Sequence, residues 1–460
     1  MHCTHNRGRR AVIKQLRIEG LFDQNHRVVD IRFDEKITIL YGKNGSGKTT
    51  ILRIISALLS GRLVELSKIS FKTIELEHDD NLRIKIDRQL KPPLATEKGK
   101  GFNTPVLNIQ VFRLGEKPKV AHFDWSVDFG DVPDHYLRYI EQEFEEVTRL
   151  GFDEWMNSTT GDIMTSHEVI HLLSDRLPHI GEKIRKDKFD PSFLPTFKSK
   201  LIQTQRLLTF ANSQKSQFRQ SGKATPTYQN TVALYSENIK GIISKAVQEL
   251  GVRSQKLDST YPNRLLYNSN SIAFSDQDIA RLMSEVASLR TELAEIELIG
   301  KTDEMLNVNP GAMRESDKKA IFLYLNDTKD KLSVFEELKN KIRLYLSAIN
   351  NKFQGTEKKV SINRESGITF TLSNGKKIQP TLLSSGEQHE VVLLYDLIFQ
   401  SERNGIILID EPELSLHIDW QRDFVDEIDR IGDLTTQRFV IATHSPAIIG
   451  VRADLCREVP

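Results

Sequence analysis

The sequence predicts an α/β protein in which both ends of the chain fold together into one nucleotide-binding head. Three observations predict this fold class. A glycine-rich motif lies in the first 50 residues, an apolar strand ending in two acids lies in the last 60, and a long, mostly helical interval separates them. We therefore expect a P-loop head with a large helical insertion that includes a short antiparallel coiled-coil hairpin.

The glycine-rich segment, residues 42–49, fits the pattern G-x-x-x-x-G-K-[ST]. Its context fits as well, because residues 36–41 are typical of a buried strand and residues 49–59 of the following helix. In such a loop the backbone N–H groups surround the phosphates, the lysine reaches the β/γ oxygens, and the threonine ligates Mg²⁺. We predict that the ATP-binding residues are Gly42, Lys43, Asn44, Gly45, Ser46, Gly47, Lys48, Thr49 and Thr50.

The apolar run 405–409 ends in Asp410 and Glu411. A strand that is apolar on both faces belongs in the middle of a parallel sheet, and ligands bind at the C-terminal ends of such strands. We expect Asp410 to hold Mg²⁺, directly or through water, and Glu411 to polarise the attacking water. An apolar strand that ends in two acids is also typical of an ordinary solvated strand end. Its occurrence together with the phosphate loop favours an ATP and Mg²⁺ site.

Three more segments near the end of the chain complete a set of motifs. Residues 383–388 are LSSGEQ, residues 410–417 are DEPELSLH, and residues 443–446 are THSP. With the phosphate loop they resemble the ABC-type ATPases, in the branch that includes SMC, RecF and the overcoming-lysogenisation proteins. The resemblance covers both lobes of the head and extends only loosely to the insertions.

The resemblance implies roles for these segments. Residues Ser384, Ser385, Gly386 and Glu387 match the signature motif, which opens a helix and acts in trans on the nucleotide held by another subunit, although Ser385 stands where the family usually has glycine. His444 matches the switch histidine that senses the γ-phosphate. The implied catalytic set is Lys48, Glu411 and His444.

The family also has a glutamine at a strand end between the phosphate loop and the signature. The segment 201–207 offers two candidates, of which Gln205 is preferred as a ligand of Mg²⁺ with Thr49 and Asp410, and Gln203 is its rival. Spacing alone does not choose between them.

Composition indicates a cytoplasmic protein, whereas its expected cofactors, ATP and Mg²⁺, follow from the motifs and the family resemblance. The chain has two cysteines, too few for a disulfide framework or a cysteine-rich zinc module. We find no apolar run near the ~20 residues that cross a bilayer, and no apolar signal core follows the basic N-terminus. The net charge of +1 does not indicate nucleic-acid binding, which the family alone suggests.

The interval between the phosphate loop and the signature spans about 330 residues, more than one α/β head needs. Apolar residues repeat with alternating spacings of three and four over 279–296 and again over 335–349, with a break at 300–311. This pattern predicts two coiled-coil helices forming an antiparallel hairpin. A helical bundle packed on the head suits so few heptads nearly as well.

We expect the following division of the chain: an N-terminal head lobe over 1–90, a helical insertion over 91–200, a glutamine-loop segment over 201–212, a helical and coiled-coil insertion over 213–350, and a C-terminal head lobe over 351–460. Within the first insertion, 134–150 and 161–177 carry helical periodicity.

The segment 167–171 spells H-E-x-x-H, the pattern of a zinc-protease helix. No compelling third ligand follows, so we interpret it as a surface or packing helix. A Toprim nuclease segment after His444, found in the overcoming-lysogenisation proteins, is not expected here, and we predict no nuclease site in this chain.

Length and motif order most resemble the ATPase subunits of the Septu anti-phage systems, free-standing or retron-associated, which act with a separate HNH-type nuclease. The resemblance implies a homodimer or higher oligomer through head-to-tail heads, a separate nuclease subunit, and DNA or a retron nucleic acid as a further partner, with no membrane. The alternative is a RecF- or SMC-like DNA-repair ATPase. The ATPase of a membrane transporter is a weaker alternative, because a long helical insertion and the segment 256–262 favour the defence ATPases.

Overall fold

The chain divides into two compact units, one made of residues 1–229 and 400–460 and the other of residues 230–399. The computed structural model describes residues 13–24, 26–78, 82–91, 104–113, 117–124, 134–144, 147–149, 155–157, 163–164, 166, 169, 173, 197–202, 208–210, 228–267, 274–300, 308–400, 403–450 and 452–460. Within these ranges, no helix combines the length and the apolar character needed to span a membrane.

A five-stranded parallel sheet forms the centre of the first unit. Its strands, in spatial order, are β11 (Ser199–Ile202), β17 (Ile406–Asp410), β18 (Arg438–Thr443), β3 (Ile37–Tyr41) and β19 (Cys456–Glu458). All four neighbouring pairs are parallel. The sheet therefore joins strands from both ends of the chain, as the order of the motifs predicts.

Helices cover this sheet because its central strands are apolar on both faces. Helix α1 (Lys48–Ser60) contacts β11, β17 and β18, and helix α9 (Ile418–Thr435) packs on β18. Side chains of α1 share one core with Leu40, Leu408 and Val440 of the strands. Helices α2 (Leu63–Lys68) and α10 (Pro446–Ile449) belong to the same unit.

A six-stranded antiparallel sheet packs into the same core. Its spatial order is β2 (Val28–Arg32), β1 (Ile13–Glu19), β4 (Thr73–His78), β5 (Leu82–Lys91), β6 (Thr104–Arg113) and β7 (Lys119–Asp124). Every second residue of β6 is buried in the shared core, namely Leu107, Ile109 and Val111, and this is the period of a strand. The expectation of a helical insertion from residue 91 onward is therefore wrong for 104–124.

The rest of that predicted insertion is mixed. Helix α3 (Asp134–Glu143) lies in the stretch with helical periodicity, and beside it β8 (Val147–Arg149), β9 (Trp155–Asn157) and β10 (Ile163–Met164) form a small antiparallel sheet. Trp155 is fully buried, and its indole N–H donates to Ser166 Oγ at 2.9 Å. A further pair joins β12 (Leu208–Phe210) to β13 (Tyr228–Asn230).

The second unit is mainly helical. Its elements are α4 (Thr231–Tyr267), α5 (Asp276–Glu295), α6 (Glu315–Leu332), α7 (Glu336–Lys352), the antiparallel strands β14 (Lys358–Asn363), β15 (Gly367–Leu372) and β16 (Lys377–Ile378), and α8 (Ser385–Ile398). Helix α8 contacts α4 and α7, and α4 also contacts α6 and β15. Among the described residues, short 3-10 turns are Leu21–Asp23, Pro310–Ala312, Ser333–Phe335, Pro380–Leu382, Pro412–Ser415 and Ala453–Leu455.

The helix predicted as one half of a hairpin, α5, does not pair in the expected way. Its apolar seam packs mainly on α6, with Ile279, Leu282 and Val286 against Leu325. Ion pairs join α5 to α6 and to α7, which continues from α6. From one ion pair to the next, the residue number rises on both sides. The pairs are Asp276 with Lys318, Glu285 with Lys329, and Glu292 with Lys339 and Arg343.

These helices therefore run parallel within a bundle, and the antiparallel hairpin is wrong. The physical reason is that a heptad seam fixes which face is buried and leaves the direction of the partner open. The apolar face of α6, which the sequence analysis did not single out, supplies the partner.

Helix α4 contains Pro262, which lacks the N–H that a helix interior needs. The helix nevertheless continues through this residue to Tyr267. Arg264 donates to Leu257 O at 2.8 Å and forms two hydrogen bonds, of 2.6 and 2.7 Å, to the carboxylate of Asp327 on α6. The segment 256–262 is thus helical and is tied to a neighbouring helix.

Candidate nucleotide-binding site

The phosphate loop, residues 42–47, turns sharply between β3 and α1. Gly45 and Gly47 have φ of 81° and 83°, a region that strains any other residue. A side chain at Gly42 would bring its Cβ to 2.6 Å from Val459 O and 2.9 Å from Ser46 Oγ. The motif's glycines are therefore required by the backbone of the loop and by the strand beside it.

Lys48 begins α1 with only 5% of its surface exposed. Its Nζ donates to the loop carbonyls of Gly42 at 3.0 Å and Lys43 at 3.2 Å. These acceptors are uncharged, so they orient the ammonium without neutralising it. A buried cation of this kind favours an anionic ligand at the loop.

Thr49 and Asp410 come together although they lie 361 positions apart, with Thr49 Oγ1 donating to Asp410 Oδ1 at 3.0 Å. Asp410 ends β17 and is nearly buried. Burial raises the pKa of Asp410 above its ordinary value, and the charges of Glu411 and Glu413 add to this, while the hydrogen bond from Thr49 opposes it.

This oxygen pair fits Mg²⁺. Hydroxyl and carboxylate oxygens are the ligands that Mg²⁺ prefers, and a dication would relieve the repulsion among the neighbouring acids. Gln205 and its rival Gln203 lie outside the described residues, so the predicted third ligand stays a prediction.

Glu411 follows Asp410 with a left-handed backbone, φ 44° and ψ 58°. Its N–H donates to Ala442 O at 2.8 Å, which holds this strained conformation in place. The Glu411 side chain remains 29% exposed, the accessibility a water-polarising base needs. Its Oε1 lies 3.7 Å from His444 Nδ1, beyond hydrogen-bond distance.

His444 instead contacts Glu413, a residue of the turn after β17. The backbone N–H of His444 donates to Glu413 Oε1 at 2.8 Å, and the same oxygen lies 3.1 Å from His444 Nδ1. The sequence analysis quoted Glu413 within DEPELSLH without giving it a role. The signal was an acid two positions after Glu411 in a motif that ends a buried strand.

A second contact that no motif indicated ties the phosphate loop to β19. Arg27 donates to Ser46 O and, at 2.5 Å, to Pro460 O, and its guanidinium lies 5.7 Å from the ring centre of Phe22. Val459 N–H donates to Tyr41 O at 2.8 Å. These contacts thus hold the phosphate loop against the edge of the parallel sheet that β19 forms.

The signature residues lie in the second unit, where Ser384 is the N-cap of α8. Ser384 Oγ accepts from Glu387 N–H at 3.3 Å, and Glu387 Oε2 accepts from Ser384 N–H at 2.7 Å, a reciprocal capping box. Burial would raise the pKa of Glu387, but ion pairing with Lys358 at 2.8 Å and the bond from Ser384 outweigh it and hold that pKa below its ordinary value. Ser385 and Gly386 form the first turn of the helix.

The structure thus brings Lys48, Thr49, Asp410, Glu411 and His444 to the C-terminal ends of neighbouring parallel strands, and their roles stay predictions. Of the H-E-x-x-H segment only Val169 is described, and it is buried beside Trp155. Over the described ranges, no group of three or more His, Cys, Asp or Glu side chains is arranged to hold a metal ion by itself.

Comparisons of sequence and of structure find several similar proteins. It is 26% identical over 164 residues to a retron Vc95 probable ATPase of Vibrio cholerae serotype O1 biovar El Tor, and the match covers 33% of this chain and 30% of that protein. The match therefore spans less than a third of the relative's length.

Among solved structures, the Smc head domain with an extended coiled coil bound to the C-terminal domain of ScpA, from Pyrococcus furiosus, aligns over 96% of this chain and 91% of its own, with a TM-score of 0.35 and 13% identity. The SMC head domain from Thermotoga maritima aligns over 95% and 91%, with a TM-score of 0.30 and 10% identity. The family model of the AAA ATPase domain matches residues 13–449, which is most of the chain, and this protein therefore belongs to the AAA ATPase domain family.

Proposed function

We propose that this protein binds and hydrolyses ATP and thereby regulates a separate nuclease in an anti-phage defence complex. The observation that carries the ATPase part is the hydrogen bond between Thr49 and Asp410, which joins the phosphate loop to the acidic strand end across 361 positions. Family membership supports the same chemistry.

Each side chain of the site has a role in this proposal. Lys48 and the loop N–H groups bind the β- and γ-phosphates, and Thr49 and Asp410 hold Mg²⁺, which supplies charge neutralisation for phosphoryl transfer. Glu411 orients and polarises the attacking water, and His444 contacts the γ-phosphate. A preformed arrangement of these groups favours the charge that develops in the transition state.

The signature residues Ser384 to Glu387 complete the site in our proposal by acting on the nucleotide of a second copy. Ser384 Oγ accepts a hydrogen bond in the capping box, which leaves its own hydrogen available as a donor. The first-turn N–H groups of α8 add donors for an anion. The active unit is then a head-to-tail pair with two composite sites.

Mixing two inactive variants tests the composite site. A mixed pair of Lys48→Ala and Ser384→Arg subunits contains one intact site, so an equal mixture should recover about a quarter of the wild-type ATPase activity. Activity no higher than the sum of the two variants alone, with mixed pairs shown by native mass spectrometry, would contradict it.

The defence role rests on the resemblance of the motifs to anti-phage ATPases and on the retron relative. We propose that the nuclease is a separate HNH-type polypeptide, that DNA or a retron nucleic acid is the further partner, and that the complex works in the cytoplasm.

The test is affinity purification of the chain from its native cells, followed by DNA-cleavage assays with Mg²⁺ or Zn²⁺, with and without the co-purifying protein. We expect ATPase activity from the chain alone and DNA cleavage only after the partner is added. Cleavage by the isolated chain that disappears in His167→Ala would overturn the partner-nuclease proposal. ATP turnover in the same preparations reports separately on the ATPase proposal.

A further inference from the structure

We infer that Glu413 is a positioning residue for His444, fixing the imidazole so that Nε2 is the nitrogen that meets the substrate. The inference rests on the proposed ATPase function and adds a residue to which the sequence gave no role. Of the two carboxylates near the His444 ring, the nearer one belongs to Glu413 and the farther one to Glu411.

The first step is the geometry around one oxygen. Glu413 Oε1 accepts the backbone N–H of His444 at 2.8 Å and lies 3.1 Å from its Nδ1, while Glu411 Oε1 is 3.7 Å from Nδ1. A single carboxylate oxygen thus holds both the main chain and the ring of His444. Two contacts to one residue restrict its χ1 and χ2 angles more than a ring contact alone.

The second step is that Glu413 is itself held in place. It lies in the 3-10 turn Pro412–Ser415 with 8% of its surface exposed. Gln421 on α9 donates to Glu413 O at 3.3 Å and Leu416 O at 3.0 Å, and Ser445 Oγ donates to Gln421 Oε1 at 2.6 Å. The turn, the helix and the loop after β18 are therefore joined by one set of hydrogen bonds.

The third step is the tautomer that this geometry selects. A carboxylate accepts hydrogen bonds and does not donate them, so the ring nitrogen facing Glu413 carries the hydrogen, and Nε2 is left for the substrate. When the ring is protonated, Nε2–H can donate to a γ-phosphate oxygen. A histidine freed from Glu413 would populate other ring orientations and would meet the phosphate in only a fraction of them.

The other buried oxygen of Glu413, Oε2, has no hydrogen-bond partner among the described residues. Glu413→Leu, an apolar replacement of similar size, provides a second variant if Glu413→Ala does not fold.

The test is a double-mutant cycle on steady-state ATP hydrolysis with Glu413→Ala, His444→Ala and the double variant. We expect Glu413→Ala to lower kcat about tenfold with KM for ATP within about threefold, and the double variant to be as slow as His444→Ala. Glu413→Gln keeps an acceptor oxygen and should recover most of the lost kcat. Asp423→Asn, an exposed acid on α9, is the matched control and should match the wild type.

Two results would overturn the inference alone: a double variant slower than His444→Ala by the full factor of Glu413→Ala, or a raised KM with unchanged kcat. If Glu413→Ala fails a thermal-melt check, the same cycle is run with Glu413→Leu. A wild-type chain that binds no ATP and shows no turnover would overturn the proposed function together with the inference, so the two failures are distinguishable.

Discussion

The two units use buried charge in opposite ways. At the end of β17 in the first unit, the three acids Asp410, Glu411 and Glu413 lie close together, and the groups that contact Asp410 and Glu413 include a hydroxyl, a backbone N–H and an imidazole. In the second unit, acids are matched with Lys or Arg. Examples are Glu387 with Lys358, Glu390 with Lys352, Asp327 with Arg264, and Glu292 with Lys339.

This difference distinguishes the candidate site in the first unit from the supporting structure of the second unit. Burial, together with the like charges of the neighbouring acids, raises the pKa of Asp410 and costs stability, a cost tolerated where the charge serves a ligand. Matched pairs that link neighbouring helices and strands fix which elements meet, since breaking such a pair leaves a buried charge uncompensated. Perturbing the first unit should therefore change chemistry, and perturbing the second should change folding.

The largest effect is expected from Lys48→Ala. Removing the buried ammonium should weaken ATP binding at least about a hundredfold and abolish turnover, because a truncated charge partner costs more than about 2.7 kcal/mol. Binding of a fluorescent ATP analogue measures it. Lys68→Ala, an exposed lysine on α2 outside the loop, is the control, and an equal loss there would contradict a specific role for Lys48.

Glu411→Gln should come next, with turnover reduced on the order of a thousandfold while ATP stays bound, because only the water-polarising group is lost. Single-turnover assays with a filter-binding measurement of trapped ATP check this. Asp419→Asn, an exposed acid in the following helix, should hydrolyse ATP normally. Wild-type turnover in Glu411→Gln would show that another group acts as the base.

A charge placed in the buried helical core of the second unit should affect folding and leave ATP binding by the first unit unchanged. Leu293 on α5 is fully buried, so Leu293→Glu should lower the free energy of unfolding of the second unit by about 3 kcal/mol while ATP affinity of the first unit changes less than about twofold. Circular dichroism melting and ATP titration measure the two. Ser284→Glu, exposed on the same helix, is the control. Parallel loss of ATP binding would contradict the separation of roles.

The smallest effect is expected from Glu387→Gln, which keeps the capping geometry and removes the charge paired with Lys358. The pKa of Glu387 is held below its ordinary value of 4.5, so the ion pair stabilises the fold above that value and is lost as the pH falls through the lowered pKa. The variant should be about 1 kcal/mol less stable at neutral pH and equal to the wild type in acid.

Urea unfolding at several pH values measures this difference. Glu365→Gln, exposed in the turn between β14 and β15, should show no such trend. A difference that persists unchanged in acid would assign the effect to the cap and not to the charge.

The sequence indicated which residues meet at the candidate site better than it indicated the scaffold, for a physical reason, while the roles of those residues stay predictions. Gly45, Gly47, Lys48 and Thr49 are dictated by local backbone and phosphate geometry, so their spacing alone identifies them. The partner of His444 depends on how two loops meet, which spacing does not encode.

The parallel partner of α5 was missed because a heptad seam carries no direction, and the strands β6 and β7 were missed because their alternation in residues 104–124 was not recognised. The predicted glutamine ligand, Gln205 or Gln203, stays a prediction.

The parallel direction of α5 has a consequence for how the second unit folds. Its ion pairs join residues 44, 47 and 51 positions apart, so every contact requires closure of a long loop. Closing about 45 residues costs about 2 kcal/mol more than closing a five-residue turn, which corresponds to roughly thirtyfold in rate. The hairpin of β14 and β15, with partners 8 positions apart in Ser361 and Thr369, has no such barrier. We therefore expect the hairpin to form early and α5 to dock last.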